Sequence, residues 1–340
     1  MASKLKYQAK NITFWLSDKM FKISTVLLRY PSFFLEKPGS LMEFCKILPK
    51  DGPYKALQFL YDSIGNDKIW KEKRVAYNEF VYQQRNYLFQ EQKNIESKIS
   101  RFDYLPKISI VMPVCNIRVS ILEKALSSIK NQFYPHWELC IANGSSQPDI
   151  EILLDKFSSG DHRIKIKKLT SNIGVVRNSN EALTLATGEF IAFMDYDDEL
   201  SPDAIYEVVS SLQDHPEADL LYTDEDKVTK NNFYFNPLKK PDWTPGLILS
   251  EHYISHLSVY RKTFLDKLGW LRTEYEGAQD YDLVLRATEL TEKIVHIPKI
   301  LYHWRAFRGS TALRGKEKPY VHISAQKAVK DALIRRGIKD

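Results

Sequence analysis

Residues 188–200 read GEFIAFMDYDDEL. The apolar run from Phe190 to Met194 stops, and Asp195, Asp197, Asp198 and Glu199 follow within five positions. Adjacent carboxylates repel one another, so grouping them at the end of a buried strand costs stability unless something positive is held there. A divalent cation is the economical partner. Mg²⁺ or Mn²⁺ takes oxygen ligands and is commonly held by one or two carboxylates together with substrate phosphates. Asp-x-Asp spacing suits this, because alternate side chains of an extended segment share a face. A structural account stands beside it: Asp198 and Glu199 would also serve the positive end of a following helix. Further acids cluster in TDEDK (Thr223 to Lys227) and around Asp280 in AQDYD.

These residues need elements to position them. From Lys107 onward the pattern alternates between strand and helix. KISIVMPV (107–114), WELCIA (137–142), HRIKIKKL (162–169) and EFIAFMD (189–195) read as strands. SILEKALSSIKNQ (120–132), DIEILLDKF (149–157) and NSNEALTLA (178–186) read as helices, and Ser201 with Pro202 reads as the start of another. Alternation at this interval predicts an α/β fold, a mostly parallel sheet flanked by helices. Ligands of such sheets bind beyond the carboxyl ends of the strands, where Asp195 to Asp198 fall.

Before residue 105 the chain reads differently. Ile12, Leu16, Met20, Ile23, Leu27 and Tyr30 recur at helical steps, with Lys19, Lys22 and Arg29 between them. A second helical stretch runs from Trp70 to Ile99. Residues 1–107 carry 19 Lys and Arg against 11 Asp and Glu, whereas the rest of the chain carries 30 against 32. The whole basic surplus therefore sits in the first third. It suits an anionic partner surface such as a membrane, and equally a solvated helical face. The expected organisation is a basic helical accessory region (1–105), a catalytic α/β domain (106–315) and a C-terminal helix (316–340) that would lead to a further module.

Composition narrows the class. The chain has 340 residues, 44% hydrophobic, with 19 Tyr and 17 Phe, which excludes a disordered chain. Cys45, Cys115 and Cys140 form no CxxC pair and suit a reducing compartment. No run approaches the ~20 apolar residues of a membrane span, and no secretory signal is seen. A cytoplasmic protein is expected, peripheral at the inner face of the plasma membrane if the basic region binds lipid. No nucleic-acid partner is expected.

Taken together the motifs resemble the family 2 glycosyltransferases, whose nucleotide-sugar-binding fold is of the GT-A type. The matching pieces are ISIVMPVCN (108–116), SIKNQFYPHWELCIANGS (128–145), GEFIAFMDYDDEL, ADLLYTDEDKV (218–228), GAQDYDLVLRA (277–287) and ILYHWRAFRGSTA (300–312). They occur in the family's order, and the likeness is nearest to bacterial enzymes that build O-antigen or capsule. The resemblance implies an inverting transfer of a sugar from a nucleoside-diphosphate donor to a saccharide or lipid-linked saccharide acceptor. Asp195 and Asp197 would be the family's Asp-x-Asp, with Asp197 on the metal and Asp195 also at the donor ribose. His303 would reach the metal or diphosphate from a late loop, unless it is structural beside Trp304. Pro113, Asn143 and Arg177 would contact the donor, and Arg305 and Arg308 would screen phosphate charge. Asp280 would be the base that deprotonates the acceptor hydroxyl; its rival role is a helix N-cap. One base suits direct displacement with inversion.

Acceptor contacts follow from residue chemistry. Asp224 and Glu225 would accept hydrogen bonds from sugar hydroxyls. Trp243, His256 and Trp304 offer ring faces to a sugar, though Trp243 would serve equally in a core. Two positions depart from the family pattern. Ala142 and Asn143 stand where two acids are usual, and Cys115 stands where Tyr is common. Asn143 retains a carbonyl acceptor for a base edge but lacks the charge, so nucleotide preference is open. The alternative to an enzyme is a non-catalytic glycan- or nucleotide-binding module of the same fold.

Overall fold

The structure, a computed structural model, describes residues 68–306 and 319–338. The Ile12–Tyr30 stripe and Arg308 lie outside the described residues. The chain divides into two compact units, Met1–Tyr77 and Asn78–Asp340. The described residues 68–77 of the first unit are helical.

The elements run in chain order as helix α1 (Lys68–Ile99), strand β1 (Ile108–Val114), α2 (Val119–Lys130), β2 (Trp137–Asn143), α3 (Pro148–Ser158), β3 (Ile164–Lys168), α4 (Val175–Leu183), β4 (Phe190–Phe193), β5 (Glu199–Leu200) and α5 (Ala204–Asp214). They continue with β6 (Leu220–Thr229), β7 (Tyr234–Leu238), β8 (Ser258–Arg261), α6 (Lys262–Leu268), α7 (Gln279–Ala287), β9 (Ile294–Ala306) and α8 (Pro319–Arg335).

The strands form one sheet in the order β3-β2-β1-β4-β8-β6-β9-β5, with β7 paired to β6. β1 pairs parallel with β2 and β4, and β2 parallel with β3, which is the predicted βαβ half. Both β1 and β2 are buried along their whole length, as strands covered by helices on both faces must be. The second half adds antiparallel β8, which joins β4 to β6, and a parallel β6–β9 pair. The chain runs outward from β1 to β3 and returns to β4 on the other side of β1. The carboxyl ends of β1 and β4 therefore flank a topological switch point, and the acidic turn leaves β4 there.

Each face of the sheet carries its own core. Ile108, Ile110, Met112 and Val114 of β1 pack with Leu122, Leu126 and Ile129 of α2. Val111 points the other way, to Cys140, Ala142, Val176 and Leu183. Ile95 and Ile99 of α1 are buried in the first core, with half-buried Leu88 packed against it, and Val81 of the same helix is also buried. The sequence boundary near residue 105 thus shifts: Asn78 to Ile99 belong to the same compact unit as the sheet.

Glu138 of β2 locks the end of the sheet where β1 and β4 begin. Its buried carboxylate accepts Ser109 Oγ at 2.6 Å, the Thr187 and Gly188 N–H groups at 2.6 and 3.1 Å, and Lys165 Nζ at 2.8 Å. Gly188 is demanded by close approach, since a Cβ there would lie 2.6 Å from the Lys107 carbonyl oxygen. Burial works to raise the Glu138 pKa, but these donors outweigh it and hold it at about 2.

Candidate active site

The acidic turn separates into two pairs with different surroundings. Asp198 and Glu199 are buried, whereas Asp195 and Asp197 are half-buried at the strand end. Glu199 lies in the two-residue strand β5 beside β9, where it meets the fully buried Arg305 guanidinium and, at 3.6 Å, Arg85 of α1. Burial alone would raise its pKa, but the charges of Arg305, His303 and Arg85 lower it. Arg305 also donates from Nε to the Asp197 carbonyl at 2.7 Å and from its backbone N–H to Asp198 Oδ1 at 2.6 Å. Tyr302 completes the bracket. Its hydroxyl donates to Asp198 Oδ2 at 2.5 Å and accepts the Asp195 N–H at 3.3 Å. Asp198 and Glu199 therefore serve strand β9 rather than the following helix, as the structural account had it.

Asp198 remains electrostatically strained. Burial, then the charges of Asp197 and Asp195, push its pKa well above the usual carboxylate range, against the two hydrogen bonds it accepts. Ligand atoms of Asp195, Asp198 and His256 all lie within 4.8 Å of one another. Two carboxylates and an imidazole, with excess negative charge, are a donor set that fits Mn²⁺ or Mg²⁺. His256 stacks on Tyr302 at 4.7 Å between ring centroids and meets the edge of Trp304 at 5.6 Å.

His303 is not in that group. Successive side chains of a strand point to opposite faces, and His303 turns away from the side where Tyr302 meets His256. Its Nδ1 lies 2.6 Å from Asp226 Oδ1, and its ring meets Tyr234 edge-on. Its buried Nε2 has no hydrogen-bond partner among the described residues.

The acids of β6 are buried and internally satisfied. Asp224 accepts the Lys240 N–H at 2.8 Å and lies 2.9 Å from His296 Nε2. Glu225 accepts Ser255 Oγ at 2.8 Å and the His256 N–H at 3.3 Å, and pairs with buried Lys240 at 3.0 Å. Lys240 Nζ in turn donates to the His256 carbonyl. Burial opposes ionisation of Glu225, but Lys240 and His256 outweigh it and bring its pKa to about 2. Both acids, expected to face an acceptor, instead act inward, and Glu225 fixes the backbone of His256. Trp243 is half-buried against the second core, with its indole N–H 3.3 Å from Glu292. Trp304 is partly buried, with Lys227 Nζ 5.0 Å from its ring centroid.

Asp280 occupies the first turn of α7, one position inside a helix whose N-cap is Ala278. Its side chain is 38% exposed. Oδ1 accepts the Tyr281 N–H at 2.8 Å, and Oδ2 lies 3.1 Å from His252 Nε2. Burial works to raise its pKa, but His252, by charge and hydrogen bond, and then His256 bring it to about 2. His252 beside Asp280 and His256 beside the acidic turn stand four residues apart in the chain. The His252 ring stacks on Tyr281 at 4.6 Å, which sets its orientation toward Asp280.

On the other flank, Pro113 lies in β1 opposite Ala142, and buried Asn143 ends β2. Asn143 Oδ1 accepts the Ser145 N–H at 3.0 Å, so its carbonyl is turned into the loop. Cys115 Sγ lies 2.8 Å from the Tyr196 hydroxyl and bridges the ends of β1 and β4. Arg177 is exposed in the first turn of α4. Sequence reasoning missed Arg85, Lys240 and His252. None sits in a motif, and only their partners across the fold give them a role. The EHYISH stretch, with its two histidines four apart, was the one available signal.

Comparison with known proteins bears on this arrangement. The family model described as Glycosyl transferase family 2 matches residues 109–269. An uncharacterized protein of Sinorhizobium fredii is 37% identical over 240 residues, which are 70% of this chain and 26% of that protein. The O-antigen biosynthesis protein RfbC of Myxococcus xanthus is 34% identical over 243 residues, 71% of this chain and 19% of that protein. The chain spans about a quarter or less of the length of these curated relatives. Among solved structures, S. aureus TarS 1-349 in complex with UDP-GlcNAc matches with a TM-score of 0.55 at 19% identity, covering 67% of this chain and 66% of that one. At that identity the likeness is one of fold, and it agrees with the GT-A architecture expected from the motifs.

Proposed function

The chain belongs to glycosyltransferase family 2, through residues 109–269, and from that premise we propose that it transfers a sugar, with inversion, from a nucleoside-diphosphate donor to a saccharide hydroxyl in the assembly of a bacterial surface polysaccharide. The observation that carries the reading is the segment from His252 to His256: the His256 ring is grouped with Asp195 and Asp198, and His252 Nε2 lies 3.1 Å from Asp280 Oδ2. In this reading the acidic strand end would hold the cation and Asp280 would act as base on the acceptor beside it.

Asp280 is the base in this reading. With a pKa of about 2 it is fully ionised at neutral pH, so the proton-accepting form is always present, at some cost in driving force. His252 and the Tyr281 N–H hold the carboxylate in one orientation. It takes the acceptor hydroxyl's proton as that oxygen attacks the anomeric carbon, and the bond to the diphosphate oxygen breaks. Asp195, Asp198 and His256 would hold Mn²⁺ or Mg²⁺, with Asp197 adding negative charge beside them. The ion, when bound, neutralises charge on the leaving diphosphate. Arg177 and Asn143 line the donor side, and Trp304 offers its ring to the acceptor beside His256.

The relatives' names support polysaccharide synthesis, and the UDP-GlcNAc held by the fold neighbour makes uridine diphosphate sugars the first donors to try. No helix among the described residues is long and apolar enough to cross a membrane. A lipid-linked acceptor would be met at the cytoplasmic leaflet, with the basic first third drawn to anionic lipid. The test is a thermal-shift and product-release screen over uridine, guanosine, cytidine and thymidine diphosphate sugars with Mn²⁺. A sugar nucleotide that stabilises the protein and is slowly hydrolysed supports the enzyme. Stabilisation without any turnover, with or without saccharide acceptors, would make the chain a binding module.

A further inference from the structure

Glu276 has no part in the assignments above, yet its side chain ties one flank of the candidate site to the other. Helix α4 starts after Gly174, whose φ is 98° and which has no side chain to cap the helix. The first N–H groups of a helix need an acceptor from elsewhere. Glu276, from the loop before α7, provides it. Oε1 accepts the Val175 N–H at 2.7 Å and Oε2 the Val176 N–H at 3.3 Å. A carboxylate at this position also meets the positive end of the helix dipole. Space is reserved for it, because a Cβ on Gly174 would lie 2.9 Å from Glu276 Oε1.

Each end of this contact leads to a candidate functional residue. On the α4 side, Asn172 Oδ1 accepts the Gly174 N–H at 3.1 Å and Asn178 Nδ2 at 2.9 Å. A Cβ on Gly144 would lie 3.0 Å from Asn172 Cα, so the start of α4 rests against the exit of β2, next to Asn143. Arg177 is in the first turn of the same helix. On the other side, the Glu276 carbonyl accepts Ser324 Oγ of α8 at 2.9 Å. The chain then turns through Gly277, at φ 87°, and reaches Asp280 four residues on. Most helix caps come from the adjoining loop and fix only their own helix. A carboxylate from a hundred residues away fixes the spacing of two elements.

We propose that Glu276 is a positioning residue for sugar transfer, coupling the donor-side wall (Asn143 and Arg177) to the helix that carries Asp280. The inference rests on the roles proposed above for those three residues. Hydrogen–deuterium exchange with UDP and Mn²⁺ tests it. In the wild type, UDP slows exchange in residues 172–178 and also in 277–284. In Glu276→Ala the second effect disappears while the first persists, and Gly174→Ala, which displaces the carboxylate, gives the same pattern. Donor KM rises about tenfold and kcat falls by up to about 10²-fold, as a small misplacement of reacting groups produces. Glu276→Gln, which keeps an acceptor oxygen, restores most of both. Unchanged kcat and KM in Glu276→Ala, with only a lower melting temperature, would overturn the proposal and leave a plain cap. If no nucleoside diphosphate alters exchange in the wild type, the donor-site reading itself fails. The coupling is then judged without nucleotide: faster exchange in both segments of Glu276→Ala supports it, and faster exchange in one alone overturns it.

Discussion

Replacing Asp280 with Asn separates the roles this carboxylate could have. The native pKa falls from 3.8 to about 2, a little under two units. At 1.36 kcal/mol per unit this bounds the stabilisation by the charge at about 2.4 kcal/mol. The side chain is 38% exposed, so solvent screens the interaction, and about 1 kcal/mol is the realistic loss. For a domain of this size that lowers Tm by about 2–4 °C. The sign follows from a depressed folded pKa. The stabilisation is present above the unfolded value near 3.8 and is lost as pH falls toward about 2, so the two proteins converge in stability over that interval. Turnover behaves otherwise. Loss of a general base costs about 10²–10⁴ in rate, which is about 2.7–5.5 kcal/mol of barrier, well beyond the stability change. The assay is steady-state transfer below both melting temperatures, with donor affinity from a separate titration. Asp280→Asn should keep donor affinity within about threefold and lose at least about 10² in kcat. Retained turnover, or equal losses in affinity and turnover, refutes the base and makes Asp280 part of the helix start alone.

Four further outcomes are expected. Mn²⁺ binding by calorimetry is lost in His256→Ala and Asp195→Ala and kept in His303→Ala, because His256 shares the carboxylate group and His303 does not; the reverse pattern would return the ion to the sequence-based assignment. In the same titration Asp197→Ala also loses binding, through the charge it adds beside Asp198, and wild-type metal affinity would remove Asp197 from the site. Arg85→Ala destabilises by about 1–2 kcal/mol, since the Tyr234 hydroxyl loses its donor while Glu199 keeps Arg305; unchanged urea unfolding would make the α1 contact incidental. Glu138→Gln costs about 3 kcal/mol at pH 7, from a carboxylate held at about 2 instead of 4.5. That difference shrinks as pH falls below about 4.5, and a pH-independent cost would mean that shape rather than charge matters there.

The sequence by itself determined the parallel half of the sheet. Apolar runs at regular intervals leave few arrangements that bury both faces of β1 and β2. It determined the acidic turn as well, because four repelling acids grouped after a buried strand point to a bound cation, and the order of the motifs gave the family. Which acids face the site was decided only by the tertiary structure. Glu199 is claimed by Arg305, more than a hundred residues away, Asp198 is held by Tyr302 and Arg305 yet still grouped with Asp195 and His256, and the acids of TDEDK are claimed by His296, Lys240 and His303. A one-residue difference along β9 turns His303 away from the side where Tyr302 stacks on His256, since strand side chains alternate in direction. The partners of Asp280 were equally hidden. A carboxylate's chemistry is set by the charges and donors packed around it, and His252, His256 and Lys240 reach their places only when β6, β8 and α7 come together.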